Sequence, residues 1–153
     1  MNHKELIEHF YTCFARADAE GMAACYTDDV LFEDPAFGPL HGEQARNMWR
    51  MLINPALQLT FNKVWAEGDK GGAHWEAAYT FSKTGRHVLN KIDASFVFRD
   101  GKICKHTDRF DFHRWAGQAL GLSGTLLGWT SFFKNKVRTQ ALQRLAQFEN
   151  KRS

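Results

Sequence analysis

Cysteine is scarce and scattered: Cys13, Cys25 and Cys104 are the only three in 153 residues. An odd number without CxxC or Cys-His spacing argues against a disulfide framework or a structural zinc site, and it fits a reducing, cytoplasmic setting. His3, His9, His41, His74, His87 and His113 form no helical His-x3-His or His-Glu-x2-His pair, so no metal is expected. No glycine-rich loop of a nucleotide-binding kind is present, and no cofactor is expected. No basic-aromatic stripe or nucleic-acid motif occurs either, which leaves nucleic acid out of the expected partners. The first ten residues carry Lys4, Glu5 and Glu8 among apolar ones and so lack the uninterrupted apolar stretch of a signal peptide. The uncharged stretch between Trp115 and Phe133 contains four glycines with Gln118, Ser123, Thr125, Thr130 and Ser131, too polar for a membrane span.

What is abundant is apolar and aromatic. The hydrophobic set makes up 44% of the chain, aromatics 14% and charged residues 24%, the balance of one folded domain rather than of a disordered chain. Charge is uneven: residues 114–153 hold seven basic groups against the single acid Glu149, a net +6, which leaves −3 for the rest. The basic residues are spaced by Val137, Ala141, Leu142 and Leu145 as on one side of an amphipathic helix. They read as a solvated face, and membrane contact through this basic C-terminal helix is not expected.

Periodicity divides the chain in two. Leu6, Phe10, Phe14 and Ala17 recur at helical spacing and predict a helix over 3–17, followed by a short one over 19–26. A brief strand, Val30 to Phe32, stops before Pro35, and after a loop over 37–42 a third helix runs from Glu43 to Ile53. From there the period is two. Leu57, Leu59 and Phe61 alternate with polar residues, with Val64 in the exposed phase; the glycines Gly71 and Gly72 mark a hairpin. Trp75, Ala77, Tyr79 and Phe81 share one face, as do Ile92, Ala94, Phe96 and Phe98. Asp100-Gly101 is a hairpin turn. A last strand over 102–112 puts Cys104, His106, Asp108, Phe110 and Phe112 on the buried side. Helices first and antiparallel hairpins after is α+β organisation, with helices covering one face of a curved sheet.

The order Cys25-Tyr26-Thr27-Asp28-Asp29, then Phe32-Glu33-Asp34-Pro35 and His41-Gly42, with Asp100-Gly101-Lys102-Ile103 leading to Asp108-Arg109-Phe110-Asp111, resembles the NTF2-like superfamily of SnoaL-like polyketide cyclases, ketosteroid isomerases and limonene epoxide hydrolases. The resemblance implies an NTF2-like conical barrel with a mostly apolar cavity between helices and a mainly antiparallel sheet, and a homodimer. It would occupy residues 1–113, with 114–153 as a C-terminal helical extension packed on the same domain. The dimer is expected through the outer sheet face, where Val64, Leu89 and Val97 lie among polar neighbours.

The resemblance puts Asp34 on the ketosteroid isomerase general base, while the positions of that enzyme's oxyanion donors fall on Phe10, with Tyr11 one residue out of phase, and on Ala94. Asp93, next to Ala94, faces outward by alternation. Asp108 matches the second aspartate of the epoxide hydrolases, whose other two positions fall on Trp75 and Ala77. A SnoaL-type cyclase needs only an acid/base carboxylate near an apolar pocket, a requirement compatible with Asp34, His106 and Asp108. These three are the candidate catalytic residues, with Asp34 and Asp108 expected on opposite walls. Phe10, Trp49, Trp75, Tyr79, Phe96 and Phe110 are the candidate substrate-binding residues. The expected partner is a small hydrophobic molecule, and the expected activity is cofactor-free acid/base chemistry, of isomerase or cyclase type, on a carbonyl compound. The other reading is a non-catalytic ligand-binding or protein-interaction module of the same fold.

Overall fold

The computed structural model describes residues 1–152. Helix α1, His3–Ala15, starts at a capping box in which the Glu5 amide donates to Asn2 Oδ1 at 2.8 Å and the Asn2 amide to Glu5 Oε1 at 3.1 Å, satisfying two donors that the helix itself cannot. Asp18 caps α2, Ala19–Ala24, through the Gly21 amide, and the chain then turns into β1, Tyr26–Asp34, and β2, Gly38–His41. After α3, Glu43–Leu52, come β3, Gln58–Glu67, β4, Lys70–Phe81, β5, Arg86–Arg99, and β6, Lys102–Arg109. The six strands form one sheet in the order β2-β1-β6-β5-β4-β3, with β1 and β6 parallel and the other pairs antiparallel.

Helix α1 packs on β3 and β4, α2 on α1 and α3, and α3 on β1 and β2. The core between these helices and the sheet contains Ile7, Phe10, Tyr11, Met22, Phe32, Met48, Phe96 and Ile103. Three further helices follow: α4, Phe112–Leu120, α5, Leu122–Leu127, and α6, Ser131–Arg152. The apolar side of α6 packs inward as its spacing predicts: Phe133 and Val137 meet the cluster around Trp115, and Ala141, Leu142 and the fully buried Leu145 join the main core.

Several boundaries differ from the periodicity reading, each for a local reason. Strand β1 is longer than Val30 to Phe32, because it pairs with both β2 and β6, and β2 replaces part of the expected loop. The second helix ends at Ala24, so Tyr26 belongs to β1. Gly71 and Gly72 lie inside β4, and the β3–β4 turn carries Gly68 instead. A bulge at Lys63, with φ +54°, advances β3 by one residue; Val64 and Ala66 therefore face the core and Trp65 points outward, the phase change that a bulge imposes. Val64 is thus withdrawn from the outer face. The bare Cα of Gly72 leaves room for the Trp65 indole, which a Cβ there would strike.

Strand β6 has an irregularity of its own at Cys104, so Ile103 takes the buried slot ahead of His106. It stops at Arg109 rather than at Phe112, since Asp111 accepts from the Arg114 amide at 3.0 Å and caps α4. The stretch between Gly117 and Gly128 is largely helical, and α4 and α5 cross so closely that a Cβ on Gly124 would collide with the Ala116 carbonyl. Among the described residues no helix is long and apolar enough to cross a membrane.

If α6 is an integral wall of this core, Leu145→Ala should lower unfolding free energy by about 3 kcal/mol, as for other buried leucines. Urea denaturation measures this, and a loss below about 1 kcal/mol would detach α6 from the core.

Candidate functional site

Between the helices and the inner face of the sheet lies a cavity of about 770 Å³, within the range that holds a small organic ligand. Asp34, Asp108, Trp49, Trp75, Tyr79 and Phe110 line it. The strands set this arrangement: in the parallel pairing of β1 with β6, Phe32 faces His106 and Glu33 faces Thr107. Asp34 and Asp108 are the next residue of each strand, with side chains on the inner face. The two carboxylates thus come from neighbouring strands, side by side on one wall, and not from opposite walls.

Asp108 is 3% exposed and His106 0%, and a buried carboxylate is costly without donors. Oδ1 of Asp108 meets His106 Nε2 at 2.8 Å and the Trp75 indole N–H at 3.3 Å. His106 Nδ1 meets the Tyr26 hydroxyl at 2.7 Å, and that hydroxyl accepts from the Trp49 indole at 2.9 Å. One assignment of protons satisfies all four contacts. Trp49 donates to Tyr26, Tyr26 donates to Nδ1 of His106, and Nε2–H donates with Trp75 to Asp108. All donors point the same way, toward the cavity, and Oδ2 of Asp108 is the oxygen left for a ligand.

His106 therefore stands behind Asp108 and does not line the cavity. Phe10 and Phe96, expected at the ligand, sit at the same depth, their ring centroids 5.5 and 4.5 Å from the imidazole; they wall the relay. Tyr26 is the member that sequence reasoning missed. It lies in β1 two residues after a helix end, and nothing local in the sequence reports its pairing with a histidine eighty residues away.

Asp34 is held differently. Its Oδ1 accepts from the Ala36 amide at 2.9 Å and the Phe37 amide at 2.6 Å, the turn that carries the chain past Pro35. Burial pushes its pKa up and the Asp108 charge adds to that, while the Phe37 and Ala36 amides and the Arg138 guanidinium pull it down; the balance lies at about 7. Arg138 comes from α6 and reaches the Pro35 carbonyl at 3.4 Å. On the same cavity, the Tyr79 hydroxyl accepts from the Trp115 indole at 2.9 Å and, among the described residues, makes no other hydrogen bond, so its own proton is available to a ligand. Its pKa is raised, by burial first and also by the Asp34 charge. Trp115 too was no sequence candidate as a site residue, and its role depends on α4 folding back over β5.

The other positions raised by the resemblance fall as alternation predicts. Ala94 is buried opposite Asp108, and Asp93 faces outward, bound to His74 at 2.9 Å. Tyr11 is fully buried against Phe61, and its hydroxyl has no partner. Among the described residues no three His, Cys, Asp or Glu side chains converge on a possible metal position. All three cysteines are free.

A helix-covered, mainly antiparallel six-stranded sheet lining an acid-bearing cavity is the NTF2-like architecture. The SnoaL-like domain profile matches residues 7–106, and the chain belongs to that family. Solved structures agree in fold. A candidate polyketide cyclase from Pseudomonas putida KT2440 is 18% identical with a TM-score of 0.65, over 78% of this chain and 98% of that one. An NTF2-like protein from Burkholderia pseudomallei K96243 is 20% identical at 0.61, over 72% and 92%. TerC, crystallised with polyporic acid, is 22% identical at 0.60, over 72% and 95%. No curated protein matches the chain.

The raised pKa of Asp34 has a definite consequence for stability. A carboxyl that titrates higher in the folded than in the unfolded chain stabilises the fold most when protonated, below pH 4, and loses that contribution as pH rises toward 7. Asn at position 34 keeps the oxygen that accepts the two amides and never ionises. Asp34→Asn should therefore match the wild type near pH 4 and exceed it at pH 8 by roughly 2–4 kcal/mol, read from urea melts at the two pH values. Equal stability at pH 8 would contradict the burial of this charge.

Proposed function

We propose that the protein is an acid/base catalyst of isomerase or cyclase type acting on a small hydrophobic carbonyl compound. The observation that carries this reading is the Asp34 carboxyl: beside a second carboxylate in an apolar cavity, it titrates at about 7, where a group both takes up and returns a proton. Asp34 removes a proton from the carbon next to the carbonyl, and Tyr79, already held by Trp115, donates its hydroxyl hydrogen to the oxygen on which negative charge develops. Asp34 then gives the proton back at a second carbon or oxygen. Asp108, fixed by the relay from Trp49 through Tyr26 and His106, adds to the burial that raises the Asp34 pKa, and it orients any hydroxyl of the ligand through Oδ2. Trp49, Trp75 and Phe110 supply the apolar walls for rings or chains. The candidate cyclase among the structural neighbours supports a cyclisation, and the aromatic lining supports a substrate with a planar or ring-forming skeleton.

Native mass spectrometry of the purified protein identifies any co-purifying compound, and NMR in D2O follows deuterium entering next to its carbonyl. Asp34→Asn should retain binding and slow exchange by about 10³-fold. His106→Ala, which acts on Asp108 and not on the ligand, should slow it about 10-fold. Exchange at the wild-type rate in Asp34→Asn, with binding intact, would remove Asp34 from catalysis and favour a carrier.

A further inference from the structure

Five large apolar side chains crowd the corner between α5 and α6 and are left in water: Leu122 at 74% exposure, Leu126 at 60%, Leu127 at 49%, Trp129 at 68% and Phe132 at 80%. Scattered exposed leucines are ordinary, but five within eleven residues, including a tryptophan and a phenylalanine, form a patch that calls for a partner. The corner is well anchored. Gly124 meets the Ala116 backbone, His113 Nε2 contacts the Thr125 carbonyl at 2.7 Å, and the Trp129 indole donates to the Leu126 carbonyl at 3.0 Å.

The charge around the patch has one sign. No Asp or Glu occurs from residue 112 to residue 148, nor from 77 to 92 in the β4–β5 hairpin against which α4 is pinned. The Thr84 hydroxyl donates to the Ala119 carbonyl at 2.6 Å, and the Arg86 guanidinium to that of Gln118 at 2.8 Å. Lys83, Arg86, Arg114, Lys134 and Lys136 are all exposed. The same hairpin end and α4 also edge the cavity, through Phe81, Lys83, His87 and Trp115.

We propose that this corner docks on an anionic phospholipid bilayer, seating Trp129, Phe132 and the α5 leucines at the headgroup level while the surrounding cations meet the lipid phosphates. An amphipathic indole beside exposed apolar residues and unopposed lysines is the combination that an anionic membrane interface selects. A protein partner of comparable apolar surface would not require every flanking charge to be positive. The contact takes in the first turns of α6, with Phe132, Lys134 and Lys136, while the basic groups further along that helix, Arg144, Lys151 and Arg152, remain solvated. It sets the cavity edge at the lipid surface, the source of a hydrophobic ligand, and it stands whether or not Asp34 is a catalyst.

The test is co-sedimentation of the full chain with vesicles of phosphatidylcholine alone and with about a third phosphatidylglycerol, each at low and high salt. The wild type should partition onto the anionic vesicles and be released by salt. Trp129→Ser combined with Phe132→Ser should reduce partitioning at least ~10-fold with the circular dichroism spectrum and Tm unchanged, and Lys134→Glu with Lys136→Glu should do the same. Trp65→Ser, which alters the exposed tryptophan of the outer sheet face, should bind as the wild type does. Absence of wild-type binding to anionic vesicles would overturn the proposal, as would full binding by the Trp129→Ser, Phe132→Ser protein. Light scattering that shows an oligomer dissociated by that double variant, without vesicle binding, would make a second copy of the chain the occupant.

Discussion

Asp108 is the constraint on which the site depends. Its carboxylate is almost wholly removed from solvent, and such a group survives only where fixed donors replace the water it has lost. The core is therefore not purely apolar. Trp75 and His106 donate to Asp108, His106 needs a donor at its other nitrogen, Tyr26 supplies it, and Trp49 completes the accounting from α3. Five side chains from four elements are locked to one another around a single oxygen. Aromatic rings fill the remaining space, with Phe10, Phe32 and Phe96 all packed against the imidazole.

The other consequence runs to Asp34. The parallel pairing of β1 with β6 brings the two aspartates onto adjacent strands at the same level, where ionising one opposes ionising the other. The two are held by different partners. Asp108 has strong side-chain donors; Asp34 has two backbone amides and the more distant help of Arg138. Asp34, which lines the same cavity as Tyr79, is the carboxyl whose pKa is raised, to about 7. Two residues of one type thereby acquire distinct duties from their surroundings alone.

Much of this was legible in the sequence, and what was not has physical reasons. Alternation along β6 placed His106 and Asp108 on the buried side, and the Asp100-Gly101 turn, with both residues at positive φ, joins β5 to β6 as its sequence predicts. Helical spacing found α1, α3 and the inner stripe of α6. Alternation failed at Lys63 and Cys104, because a bulge inserts one residue and reverses the phase beyond it, and no residue type is diagnostic of one. The opposite-wall expectation failed because strand order is a property of the whole sheet: nothing in residues 26–34 reports that the last strand lies beside the first. Tyr26 and Trp115 escaped notice for the same reason, since each matters through a partner far away in the chain. The glycines of the uncharged stretch before α6 serve the close crossing of α4 and α5, a packing that their spacing alone does not report.

The family defines a fold and a cavity, and the chemistry follows from the unequal pair of carboxylates that this chain builds there. The most direct measurement is a 13C-detected NMR titration of the Asp34 carboxyl in the wild type and in Asp108→Asn. A midpoint near 7 that moves down when the neighbouring charge is removed is the predicted result. An Asp34 that titrates near 4 in both proteins, like an ordinary surface carboxyl, would contradict it.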